Sequence, residues 1–290
     1  NQAKVLNFFG LLLIMFGISF AIPLFVAIFY GESLIRVFGL GMSILVLIGF
    51  LSWFFTKDDK QELSLSDGFV ITVLFWIVLS VSGSIPFILF GFGFVDSFFE
   101  SMSGITTTGA TVIAGLDDLP KSLLIYRQLL QWLGGMGLIV LAIAVMPLLG
   151  IGGGQLFKTQ TPGPMSEQRL TPRITSTARA LWSIYFVLTV LCIFAYRLAG
   201  MSYFDAVSHA FSTVSIGGFS THDLSIGFFD SLSIEIVCIT FMLLSAMSFA
   251  VHYSAIYRKQ VLKYFYDPEL RFFVFLLIVI LGLVSIIICQ

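Results

Sequence analysis

The sequence predicts an all-α membrane protein that repeats a unit of helix, half-helix, extended segment and helix, with two extra helices before the first unit. Three observations predict it. Of the 290 residues, 58% are hydrophobic and 11% are charged, with a mean hydropathy of +1.02, whereas a soluble domain carries about 25% charge. Apolar runs long enough to span a bilayer recur along the chain. One polar, glycine-containing segment occurs twice, each time between two such runs.

The apolar runs define the order of the helices. A spanning helix requires about 20 predominantly apolar residues, and six runs satisfy this while a seventh begins near the end. The runs are 5–29, 37–55, 68–92, 123–149, 179–199, 231–256 and 272–289. The first run is longer than the apolar region of a signal peptide, which has about 7–15 residues, and we therefore expect a retained span.

The runs and the repeated segment together suggest five parts of the chain. They are a two-helix N-terminal unit, a first unit of helix, half-helix and helix, a cytoplasmic linker, a second such unit, and a linker with the start of a third unit. The predicted boundaries are 1–66, 67–150, 151–178, 179–257 and 258–290.

The Lys and Arg residues predict the orientation in the membrane. Eleven of the 15 fall on one side of the predicted spans and four on the other. The four are Arg36, Lys121, Arg127 and Arg197. Because basic residues accumulate in cytoplasmic loops, we expect the N-terminus and the connections 150–178 and 257–271 to be cytoplasmic. The connections 93–122 and 200–230 then face outward, and their apolar parts are too short to cross a bilayer, which favours half-helices.

Several classes of function are disfavoured by composition and motif. A formal net charge of −1 indicates no basic surface, and we expect no nucleic acid partner. Cys192, Cys238 and Cys289 lie in apolar runs without a CxxC or Cys/His spacing, which disfavours a disulfide framework or a metal site. The glycines of Gly150–Gln155 follow a spanning run rather than a strand, unlike a phosphate-binding loop. We therefore expect no enzyme and no organic cofactor.

The repeat aligns Val95–Thr111 with Phe204–Ser220 without a gap, at a constant offset of 109 residues. Identical residues include Asp96 and Asp205, which we expect to cap the N-termini of the half-helices, where a carboxylate bonds free N–H groups and meets the positive end of the helix dipole. Both copies of the repeat point the same way, because the number of spans between them is even.

Each half-helix is followed by a segment rich in Gly, Thr and Ser, Thr106–Ala110 in the first unit and Ser215–Phe219 in the second. Irregular backbone at membrane depth occurs only where it is buried in protein or lines a watery cavity. An extended segment offers a column of carbonyl oxygens to a dehydrated cation, and glycine permits backbone angles that other residues avoid. We therefore expect both segments to present carbonyl oxygens to a cation, favoured also by the negative end of the half-helix dipole.

Two further features lie close to these segments in the sequence. Gly134, Gly135 and Gly137 lie in the run after the first segment, and small residues there favour close packing of helices over ligand binding. Glu100 aligns with His209 in the repeat, and we expect both to be polar groups of the core or the outer rim rather than direct ion ligands.

The motifs resemble those of the TrkH family of potassium-uptake subunits in the Trk/Ktr/HKT superfamily. The resemblance covers nearly the whole chain, and its motifs are TTTGAT (106–111), STVSIGGFSTHD (212–223), RQLLQWLGGMG (127–137) and TPGP (161–164). It implies a fold related to potassium channels, with four membrane-pore-membrane units around one pore after two extra helices, and it implies potassium selectivity from one filter strand in each unit.

The resemblance also implies the filter residues. They are Thr106, Thr107, Thr108, Gly109 and Ala110 in the first unit, and Ser215, Ile216, Gly217, Gly218 and Phe219 in the second. Within this set, we expect four backbone carbonyls to bind potassium and the glycines at 109 and 218 to shape the turn. The four carbonyl ligands are those of Thr107, Thr108, Ile216 and Gly217.

The partners and the location follow from the same resemblance. It implies a cytoplasmic nucleotide-binding ring as regulator, TrkA in this family, and a homodimer surrounded by lipid in the bacterial inner membrane. Transport that is channel-like and transport that is coupled to a second ion are both compatible with the sequence. No third or fourth filter segment follows Ser220, so we expect either a longer chain or a pore completed by two chains, and we favour the former.

Two alternatives from other classes are weighed against this interpretation. The sequence SMSG (101–104) is close to the GxSG motif of rhomboid intramembrane proteases, with Ser103 as the nucleophile and a histidine, His209 or His252, as the base. The leading glycine of that motif is missing. Ser212 occupies the position of Ser103 in the second copy of the repeat, which favours a structural role for both serines. A secondary transporter with broken helices also contains half-helices, but such folds usually carry inverted repeats.

Overall fold

The structure, a computed structural model, describes residues 2–57, 65–145, 170–257 and 259–288. Its regular elements are α-helices, and two of the connections between them contain 3₁₀ helices, Leu116–Asp118 and Ser225–Phe229. In chain order the helices are α1 Gln2–Ser19, α2 Ala21–Tyr30, α3 Ile35–Thr56, α4 Leu65–Phe90, α5 Phe94–Ile105, α6 Lys121–Val145, α7 Leu170–Leu198, α8 Tyr203–Val214, α9 Leu232–Ala246, α10 Phe249–Tyr257, α11 Lys263–Tyr266 and α12 Pro268–Ile288.

The lengths of the helices confirm a multi-pass membrane protein. Within the described ranges, five stretches are long and apolar enough to cross a membrane, and a bent pair of helices adds a sixth candidate. The five are Gln2–Tyr30, Ile35–Thr56, Asp67–Phe90, Arg179–Leu198 and Pro268–Ile287. Many large apolar side chains on these helices are exposed, as lipid contact requires.

Helices α1 and α3 pack against each other through glycine. A β-carbon on Gly10 of α1 would lie 2.9 Å from the backbone oxygen of Gly49 in α3, and one on Gly49 would lie 2.6 Å from the oxygen of Gly10. The two backbones can approach this closely only because neither residue has a side chain. Phe16, Phe20 and Phe38 extend this contact into an apolar core that also contains residues of α4 and α6.

Each unit of the repeat places its half-helix between two longer helices. In the first unit α5 packs against α4 and α6, and in the second α8 packs against α7 and α9. The helix α6 also packs against α8, so the second helix of one unit supports the half-helix of the next.

Two predicted segments contain structure that the sequence did not predict. Residues from Leu170 onward, within the linker predicted at 151–178, are helical, because α7 continues beyond its apolar part. Residues 58–64 and 146–169, which include TPGP and all of Gly150–Gln155, lie outside the described residues. The run at 231–256 is not one straight span, since Leu232–Ala246 and Val251–Tyr257 meet at 93°. Met247, at the end of α9, has extended backbone angles, which break the helical hydrogen-bond ladder there.

Candidate ion filter

The two half-helices match at the offset that the sequence predicts. Shifting the bounds of α5 by 109 residues reproduces those of α8. Both have 12 residues and are therefore about 18 Å long, too short for a hydrocarbon core of about 30 Å.

The predicted capping role of Asp96 and Asp205 is wrong. The cap residues are Gly93 and Ser202, and the aspartates lie three residues later, in the first turn. Ser202 Oγ accepts a hydrogen bond from Asp205 N at 3.1 Å and donates one to Asp205 Oδ2 at 2.7 Å. Serine is the better cap because its short side chain reaches the N–H of the third helical residue. Both aspartates still lie at the positive end of the helix dipole.

Both half-helices end in a Schellman motif, in which the chain turns through a left-handed residue. In α5, Thr107 N donates to Gly104 O at 3.0 Å and Thr108 N donates to Ser103 O at 2.9 Å. In α8 the matching bonds start from Ile216 N and Gly217 N. The motif bonds the last carbonyls of a helix and usually has glycine at its left-handed position.

The left-handed residue of each motif is β-branched in this chain. Thr107 and Ile216 both have a φ of 55°, where a β-carbon meets a carbonyl oxygen and costs about 1–2 kcal/mol. Two residues later, Gly109 and Gly218 have φ values of 77° and 83°. Positive φ at alternate positions therefore follows each half-helix. We predicted an extended segment with unusual backbone angles at its glycines, and the structure adds Thr107 and Ile216 to them.

The two candidate filter segments contact each other. A β-carbon on Gly109 would lie less than 3.0 Å from the backbone oxygen of Gly217, so the first segment needs glycine there for space as well as for φ. No described residue donates a hydrogen bond to the carbonyl oxygens of Thr107, Thr108 or Ile216. The oxygen of Gly217 differs, since Gln131 Nε2 donates to it at 2.7 Å.

A buried ion pair between Arg127 and Glu100 contacts the residues at the ends of both segments. Arg127 Nε donates to Glu100 Oε1 at 2.8 Å, and both side chains are fully buried. The same guanidinium donates to Thr111 Oγ1 at 3.1 Å and to Ser220 O at 3.0 Å, and it stacks over the ring of Phe219. Arg127 therefore joins the first half-helix, the residue after the first segment, and the end of the second segment.

Sequence reasoning missed this role of Arg127, because it counted the residue only as an outward-facing charge. The signal was its position near the start of a predicted span, where an ionisable group marks a functional site. The expectation for Glu100 and His209 as core polar groups agrees with the structure. Thr111 Oγ1 donates to Glu100 Oε2 at 3.0 Å, and in the second unit His209 Nε2 and Ser220 Oγ are hydrogen-bonded at 2.9 Å.

The connections after the two segments are joined by polar contacts. His222 Nδ1 donates to Asp117 Oδ1, and Leu116 N donates to Asp223 Oδ1 at 3.1 Å. The hydrogen bond from His222 holds the pKa of Asp117 below its ordinary value. Asp117 therefore stays ionised in the connection that follows the first candidate segment.

The protease alternative finds no geometry to support it. Ser103 Oγ is buried and bonds to no described group. The imidazole of His209 is bonded to Asp205 O and Ser220 Oγ, and that of His252 to Tyr264 Oη and Leu244 O. No described histidine is therefore hydrogen-bonded to Ser103, as a nucleophile of this kind requires.

The fold and this site define an all-α, multi-pass membrane protein built on paired half-helix units. A family model described as TrkH, cation transport protein, matches residues 34–289. The chain belongs to the TrkH family, as the motifs predict.

Individual relatives agree with the family match. The chain is 49% identical over 285 residues to the Trk system potassium uptake protein TrkH of Halomonas elongata, covering 97% of this chain and 58% of that protein. It is 46% identical over 281 residues to TrkH of Escherichia coli K12, covering 95% and 58%. The crystal structure of the potassium transporter TrkH from Vibrio parahaemolyticus superposes with a TM-score of 0.84 at 46% identity, covering 95% of this chain and 56% of that one. The chain thus spans a little over half the length of these relatives.

Proposed function

We propose that this chain forms part of the pore of a potassium-uptake protein, with Thr106–Ala110 and Ser215–Phe219 as two walls of its filter. The observation that carries the proposal is the set of backbone oxygens, those of Thr107, Thr108 and Ile216, that no described residue bonds. A potassium ion that loses its water needs such oxygens, and they lie at the negative ends of two half-helices. The names of the relatives, all potassium uptake proteins, support the same ion.

The test uses the full-length protein in cells that lack their own potassium uptake. We expect wild type to restore growth at low potassium and to prefer potassium over sodium when the two ions compete. Gly218→Ser forces a β-carbon to a φ of 83°, so the segment shifts and more sodium enters. Gly109→Ala adds a collision with Gly217 O and should reduce the preference further.

Two controls accompany these variants. Thr107→Ser should keep the preference, because the ligand is the carbonyl and not the side chain. Gly39→Ala in α3 should keep it as well, since a β-carbon there meets no atom within 4 Å. If Gly109→Ala and Gly218→Ser both leave the preference unchanged, these segments do not form the filter.

A cytoplasmic nucleotide-binding ring of the TrkA kind is the proposed regulator. The support is the name Trk system of the relatives and the basic character of the linker region. This region has four basic residues, Lys158, Arg169, Arg173 and Arg179, and one acidic residue, Glu167. Reversing the charge of Arg169 and Arg173 should reduce co-purification of the ring with the full-length protein. Unchanged co-purification would contradict this docking role, and the two arginines would then serve only to orient the chain in the membrane.

We also propose that the full-length protein is a homodimer, which rests on the resemblance alone. Light scattering of the purified protein in detergent, corrected for the detergent, should give twice the mass of one chain. A monomeric mass over the whole accessible concentration range would contradict it.

A further inference from the structure

Gln131 of α6 contacts the second filter segment with both the nitrogen and the oxygen of its side-chain amide. The side chain is fully buried. Its Nε2 donates to Gly217 O at 2.7 Å, and its Oε1 accepts from Phe219 N at 3.0 Å. A primary amide has donors and an acceptor side by side, so this one side chain fixes two consecutive peptide groups of the segment.

The space around Gly217 is matched to this amide. A β-carbon on Gly217 would lie less than 3.0 Å from Cδ, Oε1 and Nε2 of Gln131. The φ of Gly217 lies outside the left-handed region, so glycine is needed there for close approach rather than for its backbone angle. Any side chain at 217 would displace the amide and break both hydrogen bonds.

Arg127 acts on the same segment one helical turn earlier. It bonds Ser220 O and stacks over Phe219, and residues four apart lie on one face of a helix. However, Arg127 also bonds Glu100 and Thr111 of the first unit. Among the described residues, Gln131 bonds only the second segment, and its replacement therefore tests that segment separately.

We propose that Gln131 is a specificity-determining positioning residue of the second filter segment. This inference rests on the proposed function. Its hydrogen bond holds the carbonyl of Gly217 in one orientation, and its second bond holds the following peptide group, so the oxygens of the neighbouring residues keep their spacing. Without these bonds the peptide between Gly217 and Gly218 can rotate, which changes the number and direction of oxygens that face the ion. Discrimination between potassium and sodium depends on that arrangement.

Two replacements at this position separate the contributions of its atoms. Gln131→Leu removes both hydrogen bonds at similar size. Gln131→Glu keeps an acceptor for Phe219 N but puts a carboxylate oxygen against Gly217 O. We expect both to lower the preference for potassium over sodium by about tenfold, the factor that one lost buried hydrogen bond supports.

A neighbouring glutamine provides the matched control. Gln128 lies in α6, is fully buried, and its amide bonds to no described group. Gln128→Leu therefore makes the same chemical change in the same helix without removing a bond from the filter. It should leave the ion preference as in wild type.

The partner residue provides an independent check. Gly217→Ala should lower the preference as Gln131→Leu does, since it displaces the same amide. In the double variant, the loss should not exceed that of the larger single variant, because the same bonds cannot be lost twice. Additive losses would contradict a shared mechanism.

The experiment compares competing potassium and sodium uptake by the full-length proteins in cells, normalised to the amount of protein in the membrane. If wild type takes up no potassium, the proposed function fails. If wild type takes up potassium but Gln131→Leu and Gln131→Glu keep its preference, the inference fails and the function stands. An equal loss in Gln128→Leu also overturns it. Should Gln131→Leu not accumulate in the membrane, Gln131→Glu, which has the size of the native residue, decides the question.

Discussion

The left-handed positions at the ends of the half-helices are occupied by Thr107 and Ile216, residues that avoid this conformation. Strain of this kind is retained where the surrounding structure holds it in place, and it is concentrated at functional sites. Here the Schellman hydrogen bonds and the contact between the segments hold it.

We expect Ile216→Gly to raise the thermal stability of the purified protein. It removes about 1–2 kcal/mol of strain, offset by about 0.5–1 kcal/mol from the larger freedom of glycine in the unfolded chain. Ile216→Ala keeps the β-carbon at positive φ and should give no such gain. Melting curves in detergent measure both, and a lower melting temperature for Ile216→Gly would contradict the account.

These positions also show the limit of prediction from residue type. Glycine at 109 and 218 predicts positive φ, and both angles are positive. Thr107 and Ile216 carry no such signal, because β-branched residues favour extended backbone. Their conformation is imposed by the helix ends and by packing that the local sequence does not display.

The ion pair of Arg127 and Glu100 makes a second prediction at the residue scale. Arg127→Met leaves a buried carboxylate without its cation, which costs about 3–5 kcal/mol. We expect a large loss of folded protein in the membrane. Arg36→Met is the control, since Arg36 is an exposed arginine in α3. Equal yields of the two variants would show that Glu100 has another source of stabilisation.

Among the elements, α6 is the one whose sequence shows most directly how it packs. Its glycines predict close contact, and at Gly134 a β-carbon would lie less than 3.0 Å from the backbone oxygen of Ile105 at the end of α5. The identity of the contacting element could not be predicted, because helical spacing defines a face but not the helix that covers it.

We expect Gly134→Ala to destabilise the protein by about 1–3 kcal/mol, the usual cost of overpacking a close contact. The added methyl group would collide with the backbone oxygen of Ile105, which cannot change rotamer as a side chain can. Gly39→Ala, also helical but in open space, should cost little. Thermal unfolding in detergent compares them, and similar melting temperatures would indicate that α5 yields to the added methyl group.

At the scale of the whole molecule, the distribution of Lys and Arg predicts the orientation. Asp118 follows the first candidate filter segment and Gln260 follows α10, and both are exposed. Asp118→Cys should react with a membrane-impermeant thiol reagent on intact cells, whereas Gln260→Cys should react only after the membrane is opened. Wild type provides the background from native cysteines. The reverse pattern would invert the predicted topology.

The general architecture was predictable because the lengths of the apolar runs and the repeated segment can be read directly from the order of residues in the chain. The bend between α9 and α10 was not, since residues 231–256 form one apolar run with no proline. The contacts of Arg127 and Gln131 with the second segment join residues 93 and 86 positions apart. Such pairs come together only through tertiary packing, which periodicity cannot reveal.

The attachment of the second segment to α6 has a consequence for biosynthesis. A ribosome adds about 5–20 residues per second, so the 86 residues between Gln131 and Gly217 take roughly 4–17 s to synthesise. The helix that holds the segment is therefore made well before the segment itself. A nascent chain that stalls in this interval contains the amide of Gln131 but neither of the backbone groups that the amide bonds. Membrane quality control would meet that intermediate as a protein with unpaired polar groups in the last helix of its first unit.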